Sequence, residues 1–87
     1  MIELLQQKFG EKVKGYRERA GYTSRYQASK SYNTSNFTEQ QLSHWERGMK
    51  LPIQGNLMIL CDLYNLTHEE TKELLLMAKE IRMQKGK

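Results

Sequence analysis

Residues 38–48 read TEQQLSHWERG. Thr38 and Gln41 stand at capping-box spacing, each within reach of an orphan amide of a first helical turn. Phe37 and Leu42 occupy the two positions of a hydrophobic staple across the same boundary. Two start signals of different chemistry agree, and Gly48 supplies a stop, so a helix is predicted over 38–47. At about 100° per residue, Leu42 and Trp45 face the core side and Glu46 flanks them. Gln40, His44 and Arg47 fall on the far side with Ser43 beside them, and Glu39 and Gln41 lie on opposite edges.

Helical periodicity continues on both sides of this stretch. Ile2, Leu5, Phe9, Val13, Tyr16 and Ala20 form one stripe of a first helix over about residues 2–20, which Gly21 ends. Gly10 and Gly15 are expected to weaken it by roughly 1 kcal/mol each relative to Ala. A second helix is predicted from Thr23, as N-cap, to Tyr32, and the turn-forming NTSN at 33–36 interrupts the pattern. After Pro52, Ile53, Leu57, Leu60, Cys61 and Tyr64 form the apolar face of a fourth helix, with Asn65 at its C-terminal end. Thr67 and Glu70 make a second capping box for a fifth helix reaching about Gln84. Its stripe is Leu74, Met77, Ala78 and Ile81, while Leu75, Leu76 and Met83 lie off the stripe. With no strand pattern, the expected fold is a single all-α domain of five helices.

Composition narrows the function. The chain has 87 residues, enough for one modest core, and a net charge of +4. The charge is uneven: residues 1–50 carry nine basic and five acidic side chains, and residues 51–87 carry five of each. A basic half beside a neutral half fits a polyanionic partner on one side, although it is also ordinary solubilising charge. Cys61 is the only cysteine, so no internal disulfide is expected. The start MIELLQQKFG has no apolar leader, and no apolar run approaches the ~20 residues of a membrane helix. A cytoplasmic, nucleoid-associated location is expected, with no membrane partner.

His44, Cys61 and His68 lack metal-ligand spacing. No catalytic triad, carboxylate pair or glycine-rich phosphate loop appears. Neither metal, cofactor nor enzymatic activity is expected. Cys61, Trp45 and Tyr64 are assigned to the core, the five methionines to gap filling, and Glu69 and Glu70 to the N-terminal charge of the last helix. The outer face of 38–47 suits a major groove: Gln pairs bidentately with adenine, and His and Arg reach guanine or phosphate. On the wheel alone, the same pattern describes a solvated helix face.

Residues 9–67 resemble the lambda-repressor and Cro family of helix-turn-helix domains. The resemblance lies in FGEKVKGYRERAGYT, in LSHWERG with its aliphatic-Ser-x-apolar-Glu-Arg-Gly pattern, in Pro52 four residues after Gly48, and in LMILCDLYNLT. It implies a recognition helix in the major groove, with Glu39, Gln40, Ser43 and His44 at base-reading positions and Gln41 at their edge. It implies a structural ion pair between Arg17 and Glu46. Thr23, Ser24 and Arg25 match the phosphate-gripping start of the second helix, and Thr38, Arg47 and Lys50 are further phosphate candidates. The departures are a span of 18 positions from Ala28 to Glu46, longer than is usual, and Gln27 where the family has Leu. A shift of register by one would let Tyr26 fill that place. The longer turn brings Asn33, Thr34, Ser35 and Asn36 into consideration as DNA contacts.

The function expected from this resemblance is that of a small sequence-specific DNA-binding regulator, a repressor of a phage, plasmid or other mobile element. It would act as a homodimer on an inverted repeat in double-stranded DNA. Leu75, Leu76 and Met83 then form a dimer face or pack within the monomer. Similar C-terminal stretches precede ligand or partner domains in other helix-turn-helix proteins. Here the sequence ends, so control by concentration or by a separate regulatory protein is expected. The alternative is a protein-interaction module, such as an antitoxin or an accessory factor in DNA processing.

Overall fold

The structure is a computed structural model that describes residues 4–31 and 37–85. The described residues form α1 (Leu4–Arg19), α2 (Arg25–Ser31), α3 (Glu39–Glu46), α4 (Gln54–Leu63) and α5 (His68–Lys85), with no strand among them. The all-α expectation holds. Ile2 and residues 32–36, including Asn36 and the rest of the long turn, lie outside the described residues.

Helix α1 lies against α3 and α5, α2 packs on α3, and α4 on α5. Phe9, Val13, Ala28, Phe37, Leu42, Trp45, Leu57, Leu60, Cys61, Tyr64, Leu74, Ala78 and Ile81 make one core. Burial pushes the Cys61 thiol above its ordinary pKa, as suits a small core residue rather than a nucleophile.

Local chemistry sets the ends of the helices. The amides of Gly48 and Met49 donate to the Trp45 and His44 carbonyls, closing α3 in a Schellman turn that needs the positive φ of Gly48, 74°. Corresponding bonds end α1 at Gly21 and α4 at Asn65. At α5 the capping box is reciprocal. The Thr67 amide donates to Glu70 Oε1 at 3.0 Å, and the Glu70 amide to Thr67 Oγ1 at 3.1 Å. At α3 the Thr38 hydroxyl accepts from the Gln41 amide at 3.2 Å.

Four sequence expectations are corrected. The cap of α2 is Ser24, whose hydroxyl accepts from the Gln27 amide, and not Thr23. Ile53 is not on the buried face of α4. It is the N-cap and 66% exposed, because the helix begins one residue later. Tyr26 and Gln27 are both exposed, and Ala28 and Phe37 fill the interior beside α3 instead. Met49, Met58 and Met83 are exposed rather than filling gaps.

Glu70 also receives both Nη groups of Arg19, at 2.6 and 2.7 Å, tying the end of α1 to the start of α5. Those bonds lower its carboxyl from 4.5 to about 2. A carboxylate more acidic in the folded than in the unfolded chain stabilises the fold above its unfolded pKa. That contribution fades as pH falls from about 4.5 towards 2. The wild type is therefore expected to lose urea resistance over this interval more steeply than Glu70→Gln. Both partners meet solvent, so the difference is small and shrinks with salt. Parallel pH profiles of the two proteins would refute the assignment.

Candidate functional site

Helix α3 is rooted on its inner side. Leu42 and Trp45 are buried, and the Trp45 ring meets Phe37 at 5.9 Å between centroids, tilted by 55°. Beside them the Glu46 carboxylate is fully enclosed. It accepts from Arg17 Nε at 2.8 Å and Nη2 at 3.3 Å, and from Arg25 Nε at 3.0 Å. Arg17 Nη1 donates to the Tyr22 carbonyl at 2.7 Å. One carboxylate thus joins α1, α2 and α3, and Arg17 also holds the connection between the first two. In so little water, charge-assisted bonds of this geometry fix the rotation of α3.

The rotation turns the polar residues outward. Glu39, Gln40 and Arg47 are exposed, while Gln41, Ser43 and His44 are half-buried. Thr38, Gln40, Gln41, His44 and Lys50 line one polar notch of about 240 Å³. Lys50 arrives there because the chain doubles back after Gly48: its amide, like that of Met49, donates to the His44 carbonyl. The notch presents amides that both donate and accept, an imidazole, a hydroxyl and an ammonium group. That set can pair with heteroaromatic edges and with an anion beside them.

The start of α2 is engaged within the domain. Gln27 Oε1 accepts from both the amide and the hydroxyl of Thr23, at 2.9 and 2.8 Å. Ser24 caps the helix, and Arg25 holds Glu46 with its side chain one-third exposed. In the basic half, Lys12, Arg17, Arg19 and Arg25 are held by carboxylates. Arg47 and Lys50 are the cations next to the α3 face.

Two contributors escaped sequence reasoning. Gly10 lets α1 approach the last turn of α3, for a Cβ there would stand 2.5 Å from the Glu46 carbonyl oxygen. Arg25 is the third member of the buried ion cluster. A signal for the first existed: Gln6, Gly10, Val13 and Arg17 follow one another at helical spacing, and all four are buried. Two polar residues and a glycine concealed that stripe from a hydrophobicity wheel.

Among the described residues, no helix is long and apolar enough to cross a membrane, and no group of three or more His, Cys, Asp or Glu is placed to hold a metal ion. Compared with models of protein families, with curated proteins and with solved structures, the chain matches none.

Proposed function

We propose that this chain is a sequence-specific double-stranded DNA-binding protein of the lambda-repressor helix-turn-helix type, acting as a small transcriptional repressor. The observation that supports the reading is the notch on α3, where Thr38, Gln40, Gln41, His44 and Lys50 meet on a helix whose rotation is held from beneath by Glu46 and Trp45. Base edges in a major groove are read by Gln, His and Ser, and an adjoining phosphate is neutralised by Lys or Arg. Here Gln40, Ser43, His44 and Glu39 read bases with Gln41 at their edge, and Lys50 and Arg47 hold the backbone. The resemblance of LSHWERG to the family's recognition-helix ending agrees with this orientation. Two copies on an inverted repeat would place their α3 helices in major grooves about 10 bp apart, or a multiple of that.

Selection of bound duplexes from a random pool tests the reading, and an inverted-repeat consensus is the expected product. With that duplex in hand, Gln40→Ala combined with His44→Ala should cut affinity for the consensus by about a hundredfold while leaving random duplexes nearly unaffected. Absence of any consensus, or a double variant that keeps its preference, would exclude α3 as the reader.

A further inference from the structure

We propose that the groove between the start of α4 and the outer side of α5 docks an acidic amphipathic helix of another protein. Gln54, Leu75, Leu76, Lys79, Arg82 and Met83 line it, around a volume of about 450 Å³. Leu76 and Met83 are 57% and 63% exposed, far more than the core stripe of the same helix. They are seven positions apart, two turns or about 10 Å, the span over which a docked helix sets successive apolar anchors.

On the groove side of these anchors the charge is basic, while Glu69, Glu70 and Glu73 lie beyond Leu76 on its other side. Among the described residues, Lys79 and Arg82 line the groove and no carboxylate does. Arg82 is held in place by donating from Nη2 to the Pro52 carbonyl. Helix α4 begins at the same place, and its N-cap Ile53 offers no side-chain acceptor. The first-turn amides beside Gln54 therefore add the positive end of a helix dipole. Two cations, a helix N-terminus and an apolar strip converge on one groove, and carboxylates flanking Leu-type anchors complement all of them. A second copy placed groove to groove by two-fold symmetry would bring a second Lys79 and Arg82 to the contact and no carboxylate from the groove lining, since an isologous contact repeats the same patch. Among the described residues the groove is lined by α4 and α5, and it shares no residue with the notch on α3.

The test is selection from a displayed library of amphipathic helices whose positions beside the apolar anchors are randomised among Glu, Gln and Lys. On the intact chain, Glu should be enriched at those positions. Leu76→Glu with Met83→Glu should weaken the selected helices about tenfold or more. Lys79→Glu with Arg82→Glu should shift enrichment to Lys. All four side chains are exposed or line the groove, and unchanged melting will verify folding. The proposal falls if no helix is enriched, if enrichment shows no charge bias, or if it ignores the Leu76 and Met83 changes. It falls equally if sedimentation shows a dimer of the chain that Leu76→Glu dissociates, for the occupant is then a second copy. Duplex selection with the same variants tests the α3 reading separately.

Discussion

Arg17→Met is expected to destabilise the domain by about 3–5 kcal/mol, a large part of the about 5–15 kcal/mol typical of small domains. Methionine restores most of the buried volume, so packing loss is not the main cause. The cost is electrostatic: Glu46 is fully enclosed and keeps only the single bond from Arg25 Nε. The Tyr22 carbonyl also loses its 2.7 Å donor. Arg25→Met should cost much less, about 1 kcal/mol, because its guanidinium is partly solvated and Arg17 still neutralises the carboxylate. Urea midpoints of the two variants check the order. An Arg17→Met protein as resistant as wild type would show that the cluster contributes nothing to stability.

Gly10→Ala is expected to destabilise by about 3 kcal/mol or more, although alanine is the better helix former by about 1 kcal/mol. Its Cβ would stand 2.5 Å from the Glu46 oxygen and 2.8 Å from the Trp45 oxygen, both backbone atoms. No side-chain rotation relieves such contacts, so α1 and α3 must separate, loosening the Arg17–Glu46 pair and tilting the face that carries Gln40 and His44. Gly15→Ala is the control of opposite sign. Nothing lies within 4 Å of its Cβ, and substitution should stabilise by up to about 1 kcal/mol. Thermal melts of both proteins, with affinity for a selected duplex, separate the outcomes. If the two glycines behave alike, the close crossing is wrong.

These glycines mark where sequence reasoning stops. Both break the helical pattern equally on a propensity scale; Gly10 lies on the stripe of Gln6, Val13 and Arg17, and the crossing with α3 gives that stripe its meaning. Ile53 shows the same limit. Apolar and in register with Leu57 and Leu60, it still lies outside the helix because the chain enters α4 one residue later. Lys50 was legible as a cation near α3, but its place beside Gln40 and His44 follows from the turn after Gly48.

The sequence by itself determined the features whose causes span three or four residues: the helices, the caps at Thr38 and Thr67, the Gly48 stop, and the polar and apolar sides of α3. Hydrogen bonds to the first and last turns and the 3.6-residue period act over that range, so the residues that cause them are neighbours in the chain. The tertiary structure decided that Arg25 joins Arg17 on Glu46, which glycine admits a neighbouring backbone, and which polar residues share a notch. The first two depend on groups 21 to 36 positions apart in the chain, and the notch on residues up to 12 apart that the turn after Gly48 brings together. Arg25 and Arg19 are alike in composition, and only distance in a poorly hydrated interior makes Arg25 the second partner of the buried Glu46 carboxylate.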